Sequence, residues 1–336
     1  MVNQWNSGRV TIYDVAREAG VSKSLVSLVL HGDDRVSEAR RNSVLQAIEK
    51  LGYQPSRAAK ALAGKSSKTI GVIVEDYSNA WFIRMIHGLR EVFDELGYQI
   101  TVSDLHQSGT HLDDPLDAFL SMHVDGLILA VEPSELRNRP IPIPCVIMGD
   151  RSSASMVPNA DLVTNDDFEG GKEITEHLLK LGHTQIGHIS SYSGPAQLRM
   201  RGYLEAMKQR GLETYATEVQ LRPTAQNGYQ GMKALLETQP GLTAVFASND
   251  TMASGAFAYL REQKLAVPED FSLVGYDNSG TSSKYMLNLT TVDYAGPEIG
   301  REAAKLILDR IADPDHAPKR IVLPSPLVFR KSTKAL

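Results

Sequence analysis

The fold of the N-terminal region is decided by the stretch Val10-Thr11-Ile12-Tyr13-Asp14-Val15-Ala16-Arg17-Glu18-Ala19-Gly20-Val21-Ser22. Thr11 predicts a helix N-cap, because its hydroxyl can accept a hydrogen bond from a free amide of the first turn. Four apolar residues then share one helical face. Gly20 follows at a position where a positive φ costs glycine little, and Ser22 predicts a second helix two residues later. Two helices joined this closely must cross steeply, as the helices of DNA-reading helix-turn-helix motifs do.

The second predicted helix runs from Lys23 to His31, and a third is predicted to begin after Ser37 and to stop at Gly52. The apolar side chains of the second helix can face inward and form a small core with the other two. Its polar face is then free to meet the major groove. The side chains predicted on that outward face are Lys23, Ser24, Ser27 and Leu28.

Charge separates the N-terminal region from the rest of the chain. The first 65 residues contain ten Lys or Arg and six Asp or Glu, which gives a net charge of +4. The remaining residues contain 25 basic and 34 acidic side chains, which gives −9. A cationic end on an anionic body is typical of a protein that contacts nucleic-acid phosphates at one end only. This charge disfavours the alternative, a three-helix bundle with no nucleic-acid role.

The composition predicts a globular protein of two or three domains, with 336 residues of which 42% are hydrophobic and 22% charged. No long apolar run offers a signal peptide or a membrane span. The single cysteine, Cys145, excludes an intrachain disulfide and fits a reducing compartment. We therefore expect a cytoplasmic protein without a membrane partner.

From Thr69 onward, apolar β-branched runs alternate with segments of helical periodicity. Uninterrupted apolar strands between helices are typical of parallel sheets that are covered on both faces. The alternation starts again after about residue 165, so we expect an α/β core of two doubly wound parallel-sheet subdomains. Strands are predicted at 70–74, 98–102, 127–130, 146–148, 185–189, 243–247 and 271–276, and helices at 81–96, 168–181, 197–210 and 250–264.

Ligands of such sheets bind beyond the carboxyl ends of the strands. This chain places hydroxyl, amide and carboxylate groups there, with Trp81 and Phe82 as apolar platforms. These groups suit a polyhydroxylated ligand or a flat heterocycle. Each also has a structural alternative, since Asn249 can cap a helix and Asp277 can be a plain turn residue. The loops concerned are 75–82, 150–151, 190–199, 249–250 and 277–278.

Further motifs are spread along nearly the whole chain. They are 11–16, 19–22, 26–27, Gly52-Tyr53-Gln54-Pro55-Ser56-Arg57-Ala58-Ala59 and 62–65 near the N-terminus, and 177–183, 199–203, Ser248-Asn249-Asp250 and Val274-Gly275-Tyr276-Asp277 in the core. Together these motifs resemble those of the LacI/GalR family of bacterial transcription regulators. The resemblance implies an N-terminal all-α helix-turn-helix domain with a lambda-repressor-like fold, then a hinge helix, then a periplasmic-binding-protein-like core.

The resemblance also implies domain boundaries. The helix-turn-helix DNA-binding domain would span 1–55, the hinge helix and linker 56–68, and the effector-binding and dimerisation core 69–336. Three crossovers would join subdomain 1, about 69–164 and 293–330, to subdomain 2, about 165–292. The family forms homodimers, so the implied operator is pseudopalindromic double-stranded DNA. No leucine heptads follow the last predicted strand, which favours a homodimer over a coiled-coil tetramer.

By resemblance, Lys23, Ser24 and Leu28 read bases. Leu28 stands where many relatives place an arginine. Leucine can only touch a thymine methyl or exclude a polar edge, so the half-site should differ from that of arginine-bearing relatives. The other positions that the resemblance assigns to DNA contact are Thr11, Tyr13, Ser22, Ser27, His31, Arg57, Ala59 and Leu62.

The segment 56–63 resembles the hinge helix of this family. Eight residues are too few for a stable isolated helix, which needs about 12–15 residues. The alanines raise helix propensity but add little packing. We therefore expect this helix to form only against its dimer mate and DNA, with Leu62 as an apolar wedge in the minor groove. The alternative is that this segment is a plain linker.

The resemblance assigns the effector site to the loops at the strand ends. It implies a small-molecule effector, and the polar residues favour a sugar or polyol over a nucleobase. Pro223 stands where relatives often carry an aromatic residue, so the far wall of the site differs. The residues assigned are Arg199, Asn249 and Asp277 for ligand hydroxyls or a polar ring, Trp81 and Phe82 for the floor, and Asp150 from subdomain 1.

The sequence thus predicts a repressor of a metabolic operon whose operator affinity is controlled allosterically by this ligand, with a coupling of about 1–3 kcal/mol. A nucleobase-responsive corepressor-type regulator is one alternative. A sugar-binding transport protein is another, which the basic N-terminal region disfavours. An enzyme is not expected, since 170–172 lacks the glycine and Ser/Thr of a phosphate loop. His177 and His183 are a poor zinc pair, and we expect no cofactor.

Overall fold

The computed structural model describes residues 10–30, 33–53, 66–75, 80–105, 114–136, 139–151, 153–191, 194–219 and 223–336. The chain divides into two compact units, Met1–Ser67 and Lys68–Leu336. The predicted hinge helix, and with it Arg57, Ala59 and Leu62, lies outside the described residues, as does His31.

The first unit contains the three predicted helices, α1 (Ile12–Ala19), α2 (Lys23–Leu30) and α3 (Glu38–Leu51). Thr11 is the N-cap of α1, and its amide and hydroxyl both donate to the carboxylate of Asp14, at 2.9 and 2.7 Å. Gly20 and Gly52 end α1 and α3 with φ values of 64° and 60°, in the left-handed region that favours glycine. A small apolar core holds the helices together; its buried members are Val15, Ala16, Val26, Val29, Val36, Val44, Ala47 and Tyr53.

The second unit is an α/β structure whose elements follow one another along the chain. Its strands are β1 (Thr69–Val74), β2 (Gln99–Asp104), β3 (Gly126–Ala130), β4 (Cys145–Met148), β5 (Asp161–Asn165), β6 (Ile186–Ser191), β7 (Tyr215–Val219), β8 (Ala244–Ala247), β9 (Ser272–Val274), β10 (Thr291–Val292), β11 (Arg320–Leu323) and β12 (Leu327–Val328). Its helices are α4 (Ala80–Phe93), α5 (Pro115–Ser121), α6 (Asp167–Lys180), α7 (Gly194–Gln209), α8 (Ala225–Thr238), α9 (Asp250–Glu262) and α10 (Gly296–Ala312), with short 3-10 turns at Pro133–Leu136, Ala154–Met156 and Gly280–Ser282.

Two parallel sheets organise this unit. The first has the strand order β11-β5-β4-β3-β1-β2, and the second has the order β7-β6-β8-β9. Helices α4 and α10 pack against each other beside the first sheet. Helix α6 packs on α7, and α8 packs on α9, around the second sheet. Each sheet is therefore a doubly wound layer, as the alternation of strands and helices predicts. None of the described helices is both long and apolar enough to cross a bilayer.

The chain passes between the sheets three times, from β5 to α6, from β10 to α10, and from β11 to β12. Residues up to 330 are predicted to belong to subdomain 1, but the first sheet ends at Leu323. Strand β12 instead pairs antiparallel with β10. The reason is local: Pro324 and Pro326 lack the amide that would continue the ladder. Beyond β12, the carbonyl of Ser332 accepts from Leu273 N at 2.9 Å, on the second sheet.

Candidate functional site

The exposed polar surface of α2 and the side chain of Tyr13 form the candidate nucleic-acid interface of the first unit. Ser22, Lys23 and Ser24 are exposed, and the Tyr13 side chain is 63% exposed. Lys23 Nζ lies 3.4 Å from the Tyr13 hydroxyl and 5.1 Å from the centre of its ring. Among the described residues Lys23 has no carboxylate partner, so its charge is available to a phosphate or a base.

The remaining described residues of this candidate interface are less open. Ser27 and Leu28 are half-buried, and Leu28 packs in part against the small apolar core. Thr11 is exposed but its hydroxyl is engaged with Asp14. The helix therefore presents its N-terminal end, with Lys23, more openly than its C-terminal half.

A cavity opens at the carboxyl ends of strands from both sheets of the second unit, and its volume is about 510 Å³ when its open mouth is included. It contains five of the six residues that the sequence analysis assigns to the effector, namely all but Asp150. The residues around it are Glu75, Trp81, Phe82, Arg151, Ser191, Pro195, Ala196, Arg199, Pro223, Ser248, Asn249 and Asp277.

Aromatic rings form one wall of the cavity. Trp81 and Phe82 lie in the first turn of α4, with ring centres 5.0 Å apart in a T-shaped arrangement. The Tyr294 hydroxyl donates to the Trp81 carbonyl at 2.6 Å, and this anchors the turn. Such a wall offers a flat apolar face to a sugar ring or a heterocycle.

Arg199 lies in the opposite wall as a buried cation that is paired with two carboxylates. Its Nε donates to Asp167 at 2.7 Å, and its Nη1 donates to the Ser248 carbonyl at 2.7 Å and to Asp277 at 3.3 Å. Its guanidinium also lies 3.6 Å from the centre of the Tyr276 ring. Burial opposes the charge, but the carboxylates of Asp167 and Asp277 raise the pKa of Arg199. The arginine therefore remains charged and fixed in place.

Burial raises the pKa of Asp277 to about 8, although Arg199 lowers it in part. A carboxyl whose pKa is higher in the folded state than in the unfolded chain binds more protons when folded. Folding stability therefore falls as pH rises from about 4 towards 8 and levels off beyond that range.

The backbone around Asp277 is held in an unusual conformation. Asp277 has a φ of 106° and Asn278 a φ of 48°, and such conformations cost non-glycine residues about 1–3 kcal/mol. Asp250 fixes the loop, because it accepts from Ser279 N and from the Thr291 hydroxyl, both at 2.7 Å. Burial raises the pKa of Asp250 to about 6. The loop is thus strained and supported from behind, and its Asp277 side chain lines the cavity.

Asn249 has both of the roles that the sequence leaves open. As the N-cap of α9, it accepts a hydrogen bond from Met252 N through Oδ1, at 2.8 Å. It also lines the cavity, and its amide nitrogen donates to no described residue. The cap fixes the orientation of the side chain, so the amide nitrogen is a preset donor for a ligand.

A cluster of polar side chains joins helix α4 to the strained loop. Arg84 pairs with Asp293 through two hydrogen bonds, at 3.0 and 3.1 Å, and also donates to the Asp277 carbonyl at 3.1 Å. Asn278 donates to the same Asp293 carboxylate at 2.8 Å. Burial opposes ionisation, but Arg84 and Asn278 hold the pKa of Asp293 below its usual range. We name Arg84, Asp293 and Asn278 the clasp, because they tie the first subdomain to a cavity loop of the second.

Asp150 is the one residue of the six that does not line the cavity in this structure, and its role as an effector contact stays a prediction. Its carboxylate faces Arg320, with 3.3 Å between the charged atoms, and it does not line the cavity. The next residue, Arg151, lines the cavity instead, after a left-handed turn at Gly149, whose φ is 80°. Glu75, Ser191 and Ser248 also line the cavity and are not among the predicted site residues, although loops 75–82 and 190–199 and the motif 248–250 contain them. The position of each loop was therefore predictable, but the side of the chain was not.

Two other motifs of the sequence are structural. Gly171 lies in α6 directly against the backbone of Arg199 in α7. His177 contacts the Thr333 hydroxyl at 3.1 Å, and His183 contacts the hydroxyls of Thr243 and Ser272, both at 2.9 Å. No group of His, Cys, Asp and Glu side chains within the described ranges is arranged to hold a metal ion.

Comparison with known proteins decides the family. The sequence model for bacterial regulatory proteins of the lacI family matches residues 11–56, and that for the periplasmic binding protein-like domain matches residues 175–333. The HTH-type transcriptional repressor PurR of Mannheimia succiniciproducens is 32% identical over 336 residues, which cover 97% of this chain and 99% of PurR. The chain belongs to the LacI family of bacterial regulators.

Solved structures of LacI-family proteins share the fold of the whole chain. The lac repressor dimer, bound to operator and the anti-inducer ONPF, gives a TM-score of 0.82 at 30% identity, covering 98% of this chain and 100% of that one. The complex of the transcriptional regulator CelR with cellobiose gives 0.70 at 29% identity, covering 96% and 100%. The predicted fold is confirmed, and this LacI-family chain is a DNA-binding transcriptional regulator.

Proposed function

We propose that this LacI-family chain is a homodimeric repressor of a metabolic operon, and that a sugar or polyol in the cavity controls its operator affinity. The arrangement of polar and aromatic side chains in the cavity supports this class of effector. Arg199 and Asp277 form a polar pair opposite the Trp81–Phe82 wall, and Asn249 offers a preset donor. Polar groups that bind hydroxyls in pairs, facing an aromatic plane, suit a pyranose or furanose ring. CelR, which is similar over nearly its whole length, binds cellobiose.

The DNA contacts follow from the open N-terminal end of α2. We propose that Lys23 and Ser24 reach base edges in the major groove, with Leu28 against a thymine methyl. Tyr13, Ser22, Ser27 and His31 would touch or approach the phosphates, and Thr11 would be a further DNA contact. In the segment 56–63, Leu62 would be the minor-groove wedge, with Arg57 and Ala59 on the same hinge helix.

The regulatory mechanism is a linkage between the cavity and the hinge. A ligand between the two subdomains of Lys68–Leu336 changes the angle between them, and this angle sets the spacing of the paired hinge segments. The ligand can shift operator binding only by its difference in affinity for the two angles, typically about 1–3 kcal/mol or 5- to 150-fold.

Fluorescence anisotropy of labelled operator duplexes tests this function. We expect Lys23→Ala to lower the affinity and reduce its salt dependence, because a phosphate or base contact of one cation is lost. Leu62→Ala should weaken binding several-fold, and a loss below about twofold would contradict the wedge. Ala58→Gly lowers the helix propensity of the same segment but keeps the Leu62 side chain, so it measures the part of the loss that comes from the helix alone. A ligand panel of sugars, polyols and nucleobases then identifies the effector class, and a response to a purine alone would overturn the sugar assignment.

A further inference from the structure

One cation of the cavity, Arg151, makes no ion pair with any residue that the structure describes. Arg151 is 7% exposed and lines the cavity beside Trp81, with its guanidinium carbon 5.3 Å from the ring centre. Its Nε donates to the Met148 carbonyl at 3.3 Å and its Nη2 to the Ala130 carbonyl at 3.0 Å. No carboxylate of the described residues lies within 4.0 Å of it. The two carbonyls hold the guanidinium in place, and within the described ranges no carboxylate touches it.

Arg199 differs from Arg151 in having carboxylate partners at contact distance. Arg199 lies in the opposite wall and has two carboxylate partners within the protein, so a ligand finds it already neutralised. The carboxylates of Glu132, Glu75, Asp167 and Glu135 act on Arg151 only from a distance, and Glu132 is itself engaged by the Ser153 amide and hydroxyl, at 3.1 and 2.8 Å. Burial lowers the pKa of Arg151, which reflects the cost of keeping this charge out of water. Buried cations without a partner are costly, and a ligand anion removes that cost.

We propose that the effector carries one anionic group, a carboxylate or a phosphate, in addition to its hydroxyls, and that Arg151 binds this group. The inference rests on the proposed effector role of the cavity and narrows the ligand from sugars in general to sugar acids or sugar phosphates. The planar guanidinium binds both kinds of oxyanion through paired N–H donors. Glu75 in the same cavity repels a second negative charge, so a singly charged carboxylate suits the site better than a phosphate dianion.

Calorimetry and thermal unfolding of the full chain test the inference with matched triplets of ligands. The probes are glucose, gluconate and glucose 6-phosphate; galactose, galacturonate and galactose 1-phosphate; and ribose, ribonate and ribose 5-phosphate. We expect an acid or a phosphate to bind at least about tenfold more tightly than its neutral counterpart, the effect of one charged hydrogen-bonded pair. A neutral sugar that binds as tightly as its acid, or a panel without an anionic binder, would overturn the inference.

Variants distinguish the loss of an ion pair between Arg151 and the ligand from a general effect on folding. Arg151→Gln should lose the preference for the anion roughly 10- to 100-fold, and Arg151→Lys should restore part of it. Arg320→Gln removes an exposed arginine paired with Asp150 outside the cavity, and should change nothing. If Arg151→Gln fails to fold, Glu75→Gln tests whether the cavity binds an anion, because removing the repelling carboxylate should tighten anion binding several-fold. Unchanged or weaker anion binding by this variant would contradict the proposal.

The two proposals fail in distinguishable ways. If only neutral sugars bind and they change operator affinity, the regulatory function stands and the anionic effector is refuted. If an anion binds through Arg151 without any change in operator affinity, the ligand class stands and the regulatory function is refuted.

Discussion

Replacing Gly171 by alanine probes the contact that places Arg199 in the cavity. A Cβ at position 171 would lie 2.4 Å from the Arg199 carbonyl oxygen and 2.7 Å from its Cα. The reverse contact is as close, since a Cβ at Gly202 would lie 2.2 Å from the Phe168 carbonyl oxygen. Helices α6 and α7 therefore meet backbone to backbone, and neither side has a flexible group that can yield.

Two opposing effects set the size of the change. Alanine favours a helix interior over glycine by about 1 kcal/mol. The clash with rigid backbone atoms costs about 3 kcal/mol, at the upper end of overpacking in well-packed cores. We expect the clash to win, with a net loss of about 2 kcal/mol and a fall in Tm of roughly 4–8 °C for a unit of this size. Because the Arg199 backbone must move, ligand affinity should fall as well.

Circular dichroism during heating measures the loss, with Gly280→Ala as the control. Gly280 lies outside the left-handed region, and a Cβ there would meet no atom within 4 Å. The control should therefore stay within about 0.5 kcal/mol of the wild type. A difference in Tm of 1 °C corresponds to a change in unfolding free energy of about 0.3 kcal/mol for a unit of this size. If Gly171→Ala melts within about 1 °C of the wild type, the close packing of α6 on α7 is refuted.

Three further predictions use the charged and base-reading residues. Asp277→Asn should flatten the decline in unfolding free energy between pH 6.5 and 8, at most about 1.4 kcal/mol per unit in the wild type, which pH-dependent urea unfolding measures. The pH range stops at 6.5 because burial lowers the pKa of His188 to about 3, and this makes the unfolding free energy rise with pH below 6.5. If the slope above pH 6.5 is the same in Asp277→Asn and in the wild type, the raised pKa of Asp277 is contradicted. Arg84→Asp should broaden the distribution of distances between spin labels placed on the two subdomains. The double variant Arg84→Asp/Asp293→Arg, which reverses the ion pair, should narrow this distribution again. Equal distributions in all three proteins would show that the clasp does not set the angle between the subdomains. Leu28→Arg should shift the half-site towards guanine by about 1–3 kcal/mol of discrimination, measured by selection from random duplexes, and an unchanged half-site would remove Leu28 from the base-reading surface.

Much of the fold was predictable because the apolar runs and the glycines that end helices indicate the same element boundaries. Gly97 and Gly182 end predicted helices and adopt φ values of 69° and 94°. The elements that sequence analysis left unassigned are those with mixed signals. Helix α8 contains Gly228 and Gly231, which weaken a helical pattern. Each of these glycines lies where a Cβ would meet a neighbouring element, so close packing explains them.

Buried polar residues hid strand β5 in the same way. Asp161 and Asn165 are the first and last residues of this strand and leave it only a very short apolar run, yet both are buried and paired. Asp161 accepts two hydrogen bonds from Arg310, both at 2.8 Å, and Asn165 donates to the Tyr276 hydroxyl at 3.0 Å. These partners lie 149 and 111 residues further along the chain. Distant partners of this kind leave no local signal in a sequence.

The cavity was predictable to the level of loops and not of single side chains. Parallel topology gathers strand ends on one edge, and this brought Trp81, Arg199 and Asp277 together as expected. The choice between Asp150 and Arg151 depends on which face of the chain points inward after Gly149, whose φ is 80°. A left-handed turn at that glycine reorients the following residues, and no spacing rule shows its direction.

Selection of double-stranded DNA from a random pool by the purified full chain tests the central claim most directly. The account predicts enrichment of a pseudopalindromic sequence with a Kd of roughly 10⁻⁸–10⁻¹¹ M that weakens steeply with added salt and changes when the effector is supplied. Failure to enrich any common sequence, at low salt and with each ligand of the panel present, would contradict it.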